Sequence, residues 1–117
     1  MDNQFTPCPD SPNCVSSLAR DERHYVKPFI CKVDPETCLK QLHSILSSVK
    51  GFSVTIHRGN YLHVECKSRM FGFIDDLEFQ WDGKSDVINV RSASRTGYYD
   101  FGVNRRRVEK IRQLITQ

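Results

Sequence analysis

The chain has 117 residues, of which 38% are hydrophobic and 26% charged, the composition of a single globular domain rather than a disordered or fibrous chain. No apolar run approaches the roughly 20 residues that a membrane-spanning helix requires, so no span is expected. Net charge is +3, but residues 1–90 hold 10 Lys/Arg against 12 Asp/Glu while residues 91–117 hold 7 against 2, and this modest basic excess falls short of the footprint usual for a nucleic-acid binder.

The N-terminus, Met1-Asp2-Asn3-Gln4-Phe5-Thr6-Pro7, has neither the basic start nor the apolar stretch of a secretory signal, which makes the cytoplasm the expected location. Cys8, Cys14, Cys31, Cys38 and Cys66 are odd in number and irregularly spaced, which argues for reduced thiols rather than a disulfide framework. Cys8 with Cys14 is the exception, since that pair would close a small loop in an oxidising medium. Residues 1–20 are expected to be an irregular Pro/Cys loop. Pro7, Pro9 and Pro12 fix their own φ and push the preceding residues toward extended geometry, and Asp10-Ser11-Pro12-Asn13 reads as a turn.

A first strand is expected within His24–Val33, with Tyr25, Phe29 and Ile30 as apolar members and Pro28 favouring an edge. The first helix is expected over 34–50. Asp34 caps it, Pro35 suits its first position, and Glu36 favours its dipole. Leu39, Leu42, Ile45, Leu46 and Val49, joined by Cys38, then recur at helical spacing until Lys50-Gly51, with His43 on the flank. Alternation next sets Phe52, Val54 and Ile56 against Ser53, Thr55 and His57, and Leu62, Val64 and Cys66 repeat the apolar face. A two-residue turn at Gly59-Asn60 would pair His57 with Leu62 and mix the faces. The three-residue loop Arg58-Gly59-Asn60 pairs His57 with Tyr61 and keeps the faces apart. The longer loop is therefore expected, with His57, Tyr61, His63 and Glu65 toward solvent. Histidines so exposed, without further close-spaced ligands, make no metal site.

Leu77, Phe79 and Trp81 mark another strand, Asp82-Gly83 a turn, and Val87–Ser94 the last strand. Asn104 is expected to cap a C-terminal helix over 104–116 that buries Val108, Ile111, Leu114 and Ile115. The expected fold is α+β, a single domain over 1–117 in the order β-α-β-β-β-β-α, with a curved antiparallel sheet and two helices packed on one face.

The junction of the last strand and last helix carries the unusual chemistry. Period two places Ser92 and Ser94 on the core face of Ile88 and Val90, where hydroxyls must find partners or line a cavity, and turns Arg91 and Arg95 away. Arg105, Arg106 and Arg107 occupy a helical first turn whose dipole disfavours cations, which suits either an anion or internal pairing with Glu109 and Asp100. Tyr98, Tyr99 and Phe101 between arginines either stack on a base, as in single-strand binders, or cover a core edge. Asp75 and Asp76 point to opposite faces and make a poor acid/base pair; one is expected inward, paired with Arg69, Arg91 or Arg95. Cys14 is the one weak nucleophile candidate, with His24 the histidine nearest in sequence, and a cysteine anchoring the loop is the simpler reading.

The segments Cys8-Pro9-Asp10-Ser11-Pro12-Asn13-Cys14-Val15-Ser16-Ser17, Phe73-Ile74-Asp75-Asp76-Leu77-Glu78-Phe79, Val90-Arg91-Ser92-Ala93-Ser94-Arg95-Thr96-Gly97 and Asp100-Phe101-Gly102-Val103-Asn104-Arg105-Arg106-Arg107 together resemble DUF1499, a bacterial and plastid family of unknown function. The resemblance implies no reaction, cofactor or substrate. It does imply that the proline-cysteine loop and the Arg-Ser-Ala-Ser-Arg segment belong to one feature. Similar proteins often carry an export or anchoring segment, which this sequence lacks. The expectation is a non-catalytic domain that binds a small anionic or amphipathic ligand or a protein partner. Its site would comprise Arg91, Ser92, Ser94, Arg95, Asp100, Asn104 and Arg105 with Asp75 and Asp76, without cofactor or metal and without nucleic acid. The rivals are a thiol-dependent enzyme using Cys14 beside an arginine-lined anion site, and a structural or assembly domain.

Overall fold

Each apolar periodicity becomes an element in the computed structural model, which describes residues 5–68 and 72–115. In chain order these are β1 (Cys14–Ser16), β2 (Phe29–Ile30), α1 (Pro35–Ser47), β3 (Phe52–Arg58), β4 (Tyr61–Lys67), β5 (Ile74–Trp81), β6 (Val87–Ser94) and α2 (Val103–Ile115). The strands form one open antiparallel sheet in the order β1-β6-β5-β4-β3, with β2 also pairing β6. The class is α+β, and the expected order gains one strand at its start.

That extra strand corrects the reading of residues 1–20 as wholly irregular. Cys14, Val15 and Ser16 lie opposite Ala93, Ser92 and Arg91. The expected strand His24–Val33 shrinks to Phe29–Ile30, opposite Ile88 and Val87, with Tyr25 touching Ser16 through an isolated parallel bridge. Two short strands thus share one edge of β6. Ser17 fills the gap between them: its N–H donates to the Val90 carbonyl at 2.9 Å and its hydroxyl accepts from the Val90 N–H at 2.9 Å. Covering an edge in this way removes a row of unpaired backbone groups.

Asp34 caps α1 as expected, accepting from the Thr37 N–H at 3.0 Å and the Thr37 hydroxyl at 2.7 Å. The helix ends at Ser47, three residues before the anticipated stop, and Gly51 follows with φ +88°. A Cβ at Gly51 would lie 2.8 Å from the Lys67 carbonyl oxygen, so both the conformation and the close approach require glycine. Leu39, Leu42 and Leu46 of α1 and Val108 and Ile111 of α2 join Leu62, Val64, Leu77, Phe79, Ile88 and Val90 in one core on a single face of the sheet. Leu114, expected in that core, is 40% exposed, because the buried stripe of α2 runs through Val108, Ile111 and Ile115. The predicted position 116 lies outside the described residues.

The first hairpin also differs from expectation. Its turn is the short one, pairing Arg58 with Tyr61 and His57 with Leu62, and the faces are restored by a register shift at Thr55, so that Val54 meets Val64 and Phe52 meets Cys66. A β-bulge adds one residue to one strand and so flips the alternation beyond it. His57 therefore sits on the helix side, its Nδ1 2.8 Å from His43 Nδ1 on α1, while staying exposed. Tyr61, His63 and Glu65 lie on the other face, but Tyr61, expected toward solvent, is buried there. Ile56 is left 40% exposed.

Candidate functional site

The inward serines of β6 do not open onto a cavity. They meet Asn104, which is fully buried in the first turn of α2. Its Oδ1 accepts from the Ser92 hydroxyl at 2.7 Å and from Arg107 Nη1 at 2.8 Å. Its Nδ2 faces the Ser94 hydroxyl at 3.0 Å, Asp100 Oδ2 at 2.9 Å and the Asn13 carbonyl at 3.2 Å. Asn104 is thus not the cap that its residue type suggests. The capping role falls to Asp100, whose carboxylate accepts from the N–H groups of Gly102 at 2.8 Å and Asn104 at 3.1 Å. Burial pushes the Asp100 carboxyl up, but these bonds, that from the Asn104 side chain foremost, outweigh it and hold the group below its ordinary range.

Arg107 completes this cluster. It reaches the Ser92 hydroxyl at 3.1 Å and forms an ion pair with Asp75 at 2.8 Å, both side chains less than 15% exposed. Asp75 is therefore the inward carboxylate, although its partner comes from the helix and not from Arg91 or Arg95; Arg69 lies outside the described residues. Cys66 lies on the same side of the sheet, fully enclosed, and burial pushes its thiol up to about 12.

The remaining arginines lie elsewhere. On the far face of the sheet, Arg91 faces Glu78 at 3.4 Å, and Glu78 accepts from the Tyr61 hydroxyl at 2.5 Å. Burial, and then the Glu78 carboxylate, raise the Tyr61 phenol well above its usual value. Arg95 donates to both oxygens of Asp76 at 2.8 and 2.9 Å and to Glu65 at 2.8 Å. Its hydrogen bonds hold the Asp76 carboxyl below the usual carboxylate range, against burial. His63 Nε2 lies 2.8 Å from the same carboxylate. Arg105 leaves both groups and donates to the Tyr25 and Arg23 carbonyls at 2.8 and 2.9 Å, while Arg106 donates to the Phe101 carbonyl at 2.7 Å. Neither pairs with Glu109, which holds Arg112 at 2.9 Å.

The residues read as one site are therefore divided by the sheet. Asp75, Ser92, Ser94, Asp100 and Asn104 converge under α2, Arg91, Arg95 and Asp76 share the opposite face, and Arg105 stands apart. Sequence reasoning missed Arg107 and Asn13, the two members that bind this cluster together. Arg107 carried a signal, as the third arginine of the run and the one at i+3 from Asn104, but its partner on β5 is remote in sequence.

Asn13 joins the proline loop to the cluster. It is 4% exposed, its Nδ2 donates to the Gly97 carbonyl at 2.8 Å, and its carbonyl accepts from the Ser94 N–H at 3.0 Å. The loop is closed by a Cys8–Cys14 disulfide, and His24, 4% exposed, ties it down through Asp21 at 2.5 Å and the Ser11 carbonyl at 2.8 Å. Cys14 is fully buried and bridged, so it has no thiolate to offer and no contact with His24 sets it up as a nucleophile. Cys31 and Cys38 form a second disulfide, leaving Cys66 as the free cysteine. The expected set of reduced thiols is thus corrected: an odd count here is two bridges plus one core residue.

The shared feature implied by the motifs is physically present as this junction of loop, strand and helix. A family model described as "Protein of unknown function (DUF1499)" matches residues 4–115, nearly the whole chain. The chain belongs to the DUF1499 family. Comparisons with curated proteins and with solved structures found no match.

In this DUF1499 chain one concavity, of about 300 Å³, lies between Phe5–Cys8 and Leu18–Asp21, and a more apolar one lies at the other end of α2. A pocket of about 220 Å³ is bounded by Phe29, Ile30, Val33, Leu42, Ile88 and Ile115, with Cys31, Cys38, Gln41 and Lys32 completing its wall. Lys32 forms no ion pair among the described residues. No helix among them is long and apolar enough to cross a membrane, and none of their His, Cys, Asp and Glu side chains gather in threes to hold a metal.

Proposed function

We propose that this DUF1499 chain is a non-catalytic binding domain for a small amphipathic ligand, held in the pocket between β2, α1 and the end of α2. The observation that carries the reading is the contrast in satisfaction between the two ends of α2. The polar junction finds a partner for each inward hydroxyl, amide and carboxylate, so it has little left with which to bind an anion. The pocket presents apolar walls and one uncompensated cation, Lys32, at its rim. Ligand sites are usually concave, largely apolar and equipped with a few polar groups that orient the guest. At about 220 Å³ this pocket is small, which suits an alkyl or aryl group with an anionic head rather than a large cofactor. In this reading the Arg-Ser-Ala-Ser-Arg segment and the proline loop have a structural role, locking residues 8–24 to the sheet. The two disulfides favour an oxidising compartment over the cytoplasm expected from the N-terminal sequence.

The test is a fluorescence titration of the intact chain with anilinonaphthalene sulfonate, an anionic amphipathic probe. Saturable one-site binding is expected, weakened about tenfold by Lys32→Glu and by Ile30→Asp and left unchanged by Arg58→Ala. Ile30 is 58% exposed, so its replacement leaves the core intact. Unsaturable binding, or equal affinity in all variants, overturns the proposal.

A further inference from the structure

The loop that enters α2 exposes three large aromatic side chains at once. Tyr98 is 61% exposed, Tyr99 68% and Phe101 79%. The rings form one patch, with centroids 6.0 Å apart between Tyr98 and Tyr99 and 5.6 Å apart between Tyr99 and Phe101. Leaving such surface in water is costly, and contiguous exposed apolar patches mark interaction sites.

The patch is held in place rather than left loose. Asn13 secures Gly97, Asp100 bonds past Phe101 to the Gly102 and Asn104 N–H groups, and Arg106 holds the Phe101 carbonyl. Phe101 itself has φ +54°, a left-handed conformation that a bulky residue adopts only when its surroundings impose it. The fold therefore accepts backbone strain and directs this ring outward.

The charges beside the patch differ from those elsewhere. Arg91, Arg95, Arg107 and Arg112 each face a carboxylate. Arg105 and Arg106 donate only to backbone carbonyls among the described residues, as does Arg23, which reaches the Asp10 carbonyl. A carbonyl orients a guanidinium without cancelling its charge. Arg106 bonds to the aromatic loop itself and Arg105 follows that loop in the first turn of α2, so two uncompensated cations adjoin the three rings.

We propose that Tyr98, Tyr99 and Phe101, with Arg105 and Arg106, form a docking surface for an anionic lipid membrane. Aromatic rings settle at the headgroup level of a bilayer, and neighbouring cations are drawn to anionic headgroups. A protein partner fits less well. The three rings and two arginines are far fewer than the roughly 20–30 residues that each side of a stable protein interface contributes. Single-stranded nucleic acid also fits less well, because its binding is dominated by phosphate contacts along a basic groove, and only two cations adjoin these rings. This surface lies at the opposite end of α2 from the apolar pocket, and the inference does not depend on that pocket's occupant.

Flotation of the intact chain with vesicles tests it, using phosphatidylcholine alone and phosphatidylcholine mixed with phosphatidylglycerol. Binding is expected to the anionic vesicles only, and to fall about fivefold for each of Arg105→Gln and Arg106→Gln. Phe101→Gly separates function from folding: it relieves the left-handed strain, so thermal stability should hold or rise, while vesicle binding falls about tenfold. Equal binding to neutral vesicles, no vesicle binding by the parent chain, or full binding by Phe101→Gly overturns the proposal. So does tight binding of an oligo-dT strand that the same substitutions abolish.

Discussion

The two ends of α2 solve opposite problems. At its N-terminal end, serine, asparagine, aspartate and arginine side chains are buried together, and each finds an internal partner. At its C-terminal end, apolar side chains surround a space that the chain does not fill. A concentration of polar residues in sequence is easily read as a binding site. Here it marks the place where an N-terminal loop is fastened to a sheet, because buried polar groups must be satisfied before folding becomes favourable. The unfilled apolar wall has the weaker sequence signature, and it is the one we propose to hold the ligand.

The largest expected effect breaks the polar end. Asp75→Ala would leave Arg107 buried without a counter-charge and should lower unfolding free energy by about 3 kcal/mol in urea denaturation. Arg107→Ala should cost a similar amount, and the double variant clearly less than the sum, since one ion pair is lost in all three. Additive costs would mean that the pair is not coupled and that the polar end is not the closed unit described.

Reduction of the disulfides probes both ends at once. Cys8–Cys14 fastens the proline loop, whereas Cys31–Cys38 forms part of the pocket wall. Each closes a short loop and should contribute about 2 kcal/mol. Cys8→Ser with Cys14→Ser should lower the melting temperature without altering probe affinity, while Cys31→Ser with Cys38→Ser should change both. Alkylation of denatured, unreduced protein should modify a single thiol, that of Cys66; five modified thiols would restore the reduced, cytoplasmic reading.

The smallest effect lies away from either end, where His43 and His57 touch through their Nδ1 atoms. Burial, and then the charges of His43 and Lys40, lower the His57 pKa below its ordinary 6.5. The folded chain then binds that proton less readily than the unfolded chain, so stability is fullest above 6.5 and declines as pH falls through the lowered value. His57→Gln should flatten this part of the stability profile; an unchanged profile would show that the contact has no energetic consequence.

Local periodicity was enough to locate much of this architecture. The Asp34-Pro35 start of α1, the stripe Leu39–Leu42–Leu46, the strand Val87–Ser94 and the inward turn of Ser92 and Ser94 all follow from repeats of 3.6 or 2 within a few residues. The antiparallel α+β class followed from their order. What sequence alone left open depends on residues far apart in the chain. The strand at Cys14–Ser16 exists only because β6 offers it an edge. The short hairpin is acceptable only because a bulge at Thr55 restores the faces. Asn104 looks like a cap until Ser92, Ser94 and Asn13 converge on its side chain, and Arg107 finds Asp75 only after α2 has packed on the sheet. Sequence could name the donors and acceptors of the junction, but their pairing is set by loop closure and burial across the whole chain, and that is decided in the tertiary structure.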